Sequence, residues 1–170
     1  MTTLALVRRI ALVLLVAVLA GCGGSSKTGV ETTTATPVPK PGPGKVLYRS
    51  GDWAVVVAGT TARALHLAGG SWHLDTSGLV KVSILGPHPH GTAAATPQVA
   101  AELSAKAPLV ESALWVDGVE LLEKGGGLTP DRGTIYGATN APLAPGNHVA
   151  VAYARTAGHA TAVAWSFHVA

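Results

Sequence analysis

Four of the seven histidines are candidates for binding a metal ion. His88 and His90 alternate with prolines, and His66 and His73 lie upstream of them. Neutral imidazole is a common ligand of zinc and copper in proteins. The flanking prolines favour polyproline II, whose repeat of about three residues per turn points His88 and His90 about 120° apart. A shared ion therefore requires the chain to bend, and solvated loop histidines are the alternative interpretation.

Two of the four tryptophans are candidates for contact with a sugar or a protein partner. Trp53 and Trp72 belong to an N-terminal segment that carries no recognisable packing motif, so either indole ring could be an exposed platform. Packing is the alternative, because aromatic side chains bury the largest apolar area and only 5% of this chain is aromatic. Trp115 and Trp165 lie in core-like patterns, and we expect both to pack inside the domain.

Known catalytic motifs are missing from the sequence. It contains no Gly-x-Ser-x-Gly, no glycine-rich phosphate loop and no His-Glu-x-x-His. The carboxylates occupy expected strand edges and turns, with no pair marked for general acid–base chemistry. We therefore predict a protein that is not an enzyme and needs no cofactor. These carboxylates are Asp52, Asp75, Glu102, Glu111, Asp117, Glu120 and Glu123.

The composition restricts the elements that can position these side chains. A chain of 170 residues suits one domain of ordinary size with a small appendage. Charged residues make up 12%, about half of the usual share of ~25%. Helical bundles and coiled coils need charged outer faces, so this composition argues against both. A single cysteine also excludes an internal disulfide framework.

The chain from Lys45 onward has the pattern of an all-β protein. β-Branched and aromatic residues alternate with period two, and turn residues recur about every 8–12 positions. Asp117-Gly118 marks the clearest hairpin, since a type I′ turn requires positive φ angles. The glycine-rich stretch Lys124–Asp131 is predicted to be a mobile loop. Strands are predicted at Val46–Arg49, Trp53–Ala58, Ala64–Ala68, Ser71–Asp75, Leu79–Leu85, Val99–Ala105, Ala113–Val116, Val119–Leu122, Thr134–Tyr136, His148–Ala154 and Thr161–Val169.

The last two predicted strands indicate where the core lies. In each strand the large side chains occupy alternate positions, and mostly small residues occupy the positions between them. Large residues on one face of two paired strands predict a one-sided sheet that a second sheet covers. We expect the large residues to share a single core, formed by Trp165, Phe167, Val149, Val151 and Leu114.

The first 21 residues have the parts of an export signal. Arg8-Arg9 precedes the apolar run Ile10–Ala20, and the small residue Gly21 follows it. The uncharged run ends at Gly21, short of the about 20 residues that a membrane-spanning helix needs. Removing the segment takes both arginines away and lowers the formal net charge from +3 to +1. The mature chain then has no basic patch that would support nucleic-acid binding.

The tetrad Leu19-Ala20-Gly21-Cys22 resembles the lipobox of bacterial lipoproteins. In that family the cysteine thiol receives a diacylglycerol and the signal is cut before the cysteine, whose new amino group can also be acylated. The resemblance implies that Cys22 is the lipid-attachment site and that Leu19, Ala20 and Gly21 are recognition residues. It also implies a protein held on the extracytoplasmic side of a cell membrane, where two or three acyl chains anchor stably.

The segment from Cys22 to Gly44 is predicted to be a disordered tether. It is rich in Gly, Ser, Thr and Pro and ends in a proline–glycine alternation. Such a stretch has too few apolar side chains to bury a core. A plain spacer is one interpretation, and O-glycans on Thr32–Thr34 and Thr36 are another.

Two segments near the C-terminus form a second recognisable pattern: Leu143-Ala144-Pro145-Gly146-Asn147-His148-Val149-Ala150-Val151 and Ala164-Trp165-Ser166-Phe167-His168-Val169. They resemble the end of bacterial immunoglobulin-like domains. Leu114-Trp115-Val116-Asp117-Gly118 is similar to the family's central hairpin, and Pro87–Gly91 is similar to its opening turn. The resemblance implies an immunoglobulin-like β-sandwich over 80–170 with a structural role for His148. Residues 45–79 are then added strands or a small subdomain.

These observations predict a lipid-anchored surface protein. Its immunoglobulin-like domain would be a non-catalytic binding or structural module, with the membrane and an envelope protein or wall polymer as partners. The alternative is an exported copper- or zinc-binding protein that uses His88 and His90 together with His66 or His73.

Overall fold

The computed structural model describes residues 39–121 and 124–170, without the side chains of 124–128. All regular structure in this part of the chain is β, in thirteen strands and three sheets. None of it forms a helix that is long and apolar enough to cross a membrane. The predicted signal segment 1–21, Cys22 and the predicted tether as far as residue 38 lie outside the described residues.

The first four strands form an antiparallel meander, which we call the N-terminal sheet. Tight turns with glycines at positive φ, such as Gly51 and Gly59, join them. The sheet has the order β1-β2-β3-β4. Its strands are β1 (Lys45–Ser50), β2 (Trp53–Ala58), β3 (Thr61–Ala68) and β4 (Ser71–Leu74).

The remaining nine strands form two further sheets. The flanking sheet has the order β10-β11-β7-β5, and the central sheet has the order β6-β13-β12-β8-β9. These strands are β5 (Val80–Gly86), β6 (Thr92–Ala93), β7 (Gln98–Ala105), β8 (Leu109–Val116), β9 (Val119–Glu120), β10 (Lys124–Thr129), β11 (Arg132–Ala138), β12 (Gly146–Thr156) and β13 (Ala160–Val169).

The strand order of these two sheets is that of an immunoglobulin domain. Such a sandwich places strands A, B, E and D in one sheet and C, F and G in the other. Here β5, β7, β11 and β10 take the positions A, B, E and D, and β8, β12 and β13 take C, F and G. The prediction of an all-β, immunoglobulin-like sandwich with extra N-terminal strands is confirmed.

Strand β10 corrects one prediction. Lys124–Asp131 was expected to be a loop because of its three consecutive glycines, yet Lys124–Thr129 pairs with β11. Ladder hydrogen bonds come from the backbone, which glycine supplies like any other residue. β10 lies at the edge of the flanking sheet, where it needs only one partner.

Two separate cores fill the spaces between the sheets. The first core lies between the flanking and central sheets and contains Leu103, Leu114, Ile135, Trp165 and Phe167. The second core lies between the central and N-terminal sheets and contains Trp53, Val55, Trp115, Val151 and Tyr153. The central sheet is therefore buried on both faces.

The prediction of a single core is wrong because of the register between β12 and β13. Ala150 lies opposite Trp165, and Val151 lies opposite Ala164. Directly opposite residues in an antiparallel pair share a face. Trp165 therefore faces the first core with the alanines of β12, while Val149 and Val151 face the second core.

Candidate functional site

The N-terminal sheet separates the two candidate tryptophans onto opposite faces. Trp53 is 5% exposed and packs in the second core, so packing is the correct interpretation for it. Trp72, on β4, is half-buried and lies on the outer face, together with Leu65 and Leu74. Of the two predicted contact residues, Trp72 is thus the one available to a partner.

A groove of about 480 Å³ runs along this outer face. Arg63, Leu65, Trp72 and Leu74 line it from the sheet, and residues 39–42 line it from the end of the predicted tether. The indole N–H of Trp72 donates a hydrogen bond to the carbonyl oxygen of Pro39, with a nitrogen–oxygen distance of 2.8 Å. The tether thus reaches the domain at Pro39, before its predicted end at residue 44.

The groove is aromatic and cationic. The guanidinium carbon of Arg49 lies 5.5 Å from the centre of a Trp72 ring, within the range of a cation–π contact. The charged side chains that line the groove, Lys40 and Arg63, are both cations. This arrangement suits ligands that present carbonyl or anionic oxygens beside an apolar surface.

Two of the four histidines predicted to bind metal lie in a second crevice, of about 200 Å³. His66 and His73 are direct neighbours on β3 and β4, and His66 stacks on Trp53 at a centroid distance of 4.4 Å. Asp75 and His159 line the same crevice, although sequence analysis did not connect them with it. They lie 84 positions apart in the chain, and no local pattern could have joined them.

The Asp75 carboxylate holds the turn between β12 and β13. Its Oδ2 accepts hydrogen bonds from the backbone N–H of Ala160 (2.8 Å) and from Nδ1 of His159 (3.2 Å). Burial opposes ionisation of Asp75, but these bonds and those from the backbone and hydroxyl of Ser77 outweigh it and lower its pKa. Asp75 therefore links the N-terminal sheet to the sandwich as an anion.

The other two histidines lie beside the far end of β13. The backbone N–H of His90 donates to the carbonyl of Ser166 at 2.7 Å, and its Nδ1 lies 3.0 Å from the Ser166 hydroxyl oxygen. His88 lies in the same exposed turn. The predicted set of His88 and His90 with His66 or His73 is therefore divided between the two ends of this strand. Within the described residues, no three His, Cys, Asp or Glu side chains are arranged to hold a metal ion.

His148 is buried in a hydrogen-bonded latch, in agreement with the structural role expected for it. Its Nδ1 lies 2.6 Å from Oδ2 of Asp117, and its Nε2 lies 2.8 Å from the carbonyl oxygen of Ala144. The hydrogen bond to Asp117 raises the pKa of His148, and burial opposes this with a smaller effect. Asp117 has a φ of 52° in the hairpin turn, and its Oδ1 accepts the backbone N–H of Val149.

A polar cluster at the second core was missed by sequence analysis. Glu111 accepts hydrogen bonds from the Tyr48 hydroxyl and from Nε of Arg155. Tyr48 belongs to the N-terminal sheet, whereas Glu111 and Arg155 are paired residues of the central sheet. The cluster therefore joins the two sheets. Separations of 63 and 44 positions along the chain left no sequence signal for it.

Comparisons with known proteins found matches among solved structures. No family model matches the chain, and no curated protein matches it in sequence. One similar solved chain comes from the crystal structure of the titin M10–obscurin-like 1 Ig complex. The two chains are 16% identical, the match covers 54% of this chain and 95% of the other, and the TM-score is 0.34. The immunoglobulin-like assignment above rests on the strand order.

Proposed function

We propose that the protein is a lipid-anchored envelope protein whose immunoglobulin-like domain is a non-catalytic binding module. The observation that carries this proposal is the outer face of the N-terminal sheet. The flanking and central sheets already form the sandwich and enclose the first core. The N-terminal sheet covers the central sheet and presents Trp72 and Arg63 along a groove on its other face. Tryptophan and arginine are enriched where proteins bind partners.

The anchor in this proposal is a diacylglycerol on Cys22, recognised through Leu19, Ala20 and Gly21. The supporting feature is the lipobox-like tetrad that closes the apolar run and contains the chain's single cysteine. The domain would then face the extracytoplasmic side of the membrane. Its partner would be an envelope protein or a wall polymer.

Replacement of the lipid-accepting thiol tests the anchor. Cys22→Ser should release the protein from membranes or leave it as unprocessed precursor, because a hydroxyl does not replace the thiol in the lipobox. Ser25→Ala is the matched control nearby and should leave fractionation unchanged. A Cys22→Ser protein that fractionates and migrates like the wild type would contradict the anchor.

Crosslinking on intact cells tests the binding face. A photoreactive residue in place of Arg63 should capture a wall polymer or an envelope protein, and Trp72→Ala should remove the product. His73→Ala is the control, because His73 lies on the same strand but faces the crevice. Hydrolysis of a wall polymer by the purified protein, with no crosslinked partner, would sink the non-catalytic proposal.

A further inference from the structure

We infer that the outer face of the N-terminal sheet binds proline-rich segments, and that the chain's own segment Pro39–Gly44 is bound there. The inference rests on the binding role proposed above for this face, and it adds the class of ligand that the face binds. It assigns the end of the tether a role as a strap instead of a spacer.

The hydrogen bond from Trp72 is the first argument. Prolines alternate at positions 37, 39, 41 and 43, and a proline nitrogen has no hydrogen to donate to a neighbouring carbonyl. Within the segment the Gly42 N–H donates to the Lys40 carbonyl, whereas the carbonyl oxygen of Pro39 accepts the indole N–H of Trp72 at 2.8 Å. Aromatic surfaces bind proline-rich segments well because proline already restricts the backbone, so little conformational entropy is lost on binding.

The buried apolar residues on the outer side of the N-terminal sheet are the second argument. Ala54 and Val56 point to the outer side of the sheet, beside Leu65, and are 0%, 2% and 8% exposed. Pro41 is buried, although the residues on both sides of it are exposed. The strap therefore inserts one proline against the sheet and covers apolar side chains that would otherwise face water. Burial of this kind contributes about 25 cal/mol per Å² of apolar surface.

Gly44 supplies the third argument, because only a glycine fits where the strap meets the sheet. Its φ is +125°, and a Cβ there would lie 2.7 Å from Cγ1 of Val56 and 2.8 Å from the carbonyl oxygen of Val57. Any other residue would both strain the backbone and push the chain away from β2. The sequence thus permits close contact at the point where the tether becomes β1.

Arg49 lies beside the aromatic ring of this surface. Its guanidinium carbon is 5.5 Å from the centre of a ring of Trp72, the residue whose indole N–H donates to Pro39. A bound strap forms one wall of the groove through residues 39–42. A proline-rich partner that takes this place on the sheet must displace it.

Nuclear magnetic resonance of the full chain in detergent micelles tests the inference. In the wild type, the Lys40 and Gly42 amides should be as rigid as those of β2, and the Trp72 indole proton should exchange slowly. Trp72→Phe keeps an aromatic ring but removes the N–H donor, so the amides of Lys40 and Gly42 should become mobile. Gly44→Ala should do the same through the clash with Val56. His73→Ala, on the inner side of the same strand, should leave them rigid.

Competition identifies the ligand class. A peptide with the sequence of residues 37–44 should, in excess, mobilise Lys40 and Gly42 and speed exchange of the Trp72 indole proton about tenfold, equivalent to about 1.4 kcal/mol. The same peptide with alanine in place of each proline should not. Displacement by a soluble wall glycan instead of the peptide would overturn the ligand class. Amides at Lys40 and Gly42 as mobile as those of the free peptide would overturn the strap itself. Crosslinking at Arg63 would still test the binding role independently.

Discussion

The two cores of the molecule are built from different side chains. The first core is mainly aliphatic around Trp165 and Phe167, and β12 contributes alanines to it. The second core is aromatic, with Tyr48, Trp115 and Tyr153 in tilted contact at centroid distances of 5.7–6.5 Å. Small residues on one face of β12 let the flanking sheet approach and close the sandwich. Large residues on its other face provide the surface to which the N-terminal sheet attaches.

The two cores also differ in how they satisfy polar groups. In the first core, the indole N–H of Trp165 donates to the carbonyl oxygen of Pro87 at 2.8 Å. In the second core, the buried Tyr153 hydroxyl has no hydrogen-bond partner among the described residues, and burial raises its pKa. An unpaired buried hydroxyl costs stability. Tyr153 is therefore a specific weak point of the second core.

The largest expected effect comes from breaking the first core. Trp165→Ala removes a side chain that is 3% exposed and should lower the free energy of unfolding by about 3–5 kcal/mol. Because this core closes the sandwich, hydrogen exchange should accelerate in the flanking, central and N-terminal sheets together. Urea unfolding followed by circular dichroism measures the loss. Val110→Ala, at a position that is 54% exposed and outside both cores, is the control and should change the free energy of unfolding by less than about 1 kcal/mol.

Breaking the second core should have a more local effect. Trp53→Ala is expected to cost about 3 kcal/mol by the same mechanism. The loss should concentrate in β1–β4, because the first core does not include Trp53. Hydrogen exchange measured strand by strand distinguishes local opening of β1–β4 from unfolding of the whole domain. Equal acceleration in β7 and β11 would show that the two cores unfold as one unit.

Sequence reasoning identified features that depend on local geometry. The Asp117-Gly118 turn follows from the need for positive φ, which Asp117 and Gly118 adopt at 52° and 81°. The strands follow from alternation. The two cores could not be predicted, because alternation of large and small residues in β12 looks the same whether one face is covered or both. The β12–β13 register, which separates Val151 from Trp165, is a non-local property.

The candidate site was predictable only in part, for the same reason. The sequence marks Trp53 and Trp72 equally, and only the packing of β1–β4 on the central sheet decides which ring is buried. The contact between Trp72 and Pro39 spans 33 positions, and the contact between His159 and Asp75 spans 84. No periodicity covers such distances. The composition of the tether likewise gives no sign of the contacts that Pro39 and Pro41 make with the N-terminal sheet.

The hydrogen bonds of His148 to Asp117 and Ala144, called the latch above, should make the free energy of unfolding depend on pH. The pKa of His148 is raised above its ordinary 6.5, so protonation stabilises the fold. This stabilisation is complete below about pH 6.5 and is lost as the pH rises through the folded-state pKa. Asp117→Asn keeps the turn but removes the anion, and it should cost about 1–3 kcal/mol at about pH 6 and less at higher pH.

The midpoints of urea unfolding between about pH 6 and about pH 9 measure this dependence. A nuclear magnetic resonance titration of His148 measures its pKa in the folded protein. The wild-type midpoint should fall with rising pH, and the Asp117→Asn midpoint should fall less. His168→Gln is the control, because His168 is exposed on β13. An unchanged slope in Asp117→Asn would show that the latch is not the titrating element.

The smallest expected effect tests the polar difference between the cores with two matched substitutions. Tyr153→Phe removes a buried hydroxyl that has no partner in the described part of the chain, so the free energy of unfolding should stay the same or rise by up to about 1 kcal/mol. Tyr48→Phe removes a hydroxyl that donates a hydrogen bond to Glu111, so the free energy of unfolding should fall by about 1 kcal/mol. Both variants keep the aromatic contacts. Changes of opposite sign in the free energy of unfolding, measured with urea, would show that the unpartnered Tyr153 hydroxyl destabilises the second core. Equal losses in the two variants would show that the Tyr153 hydroxyl forms a hydrogen bond in solution.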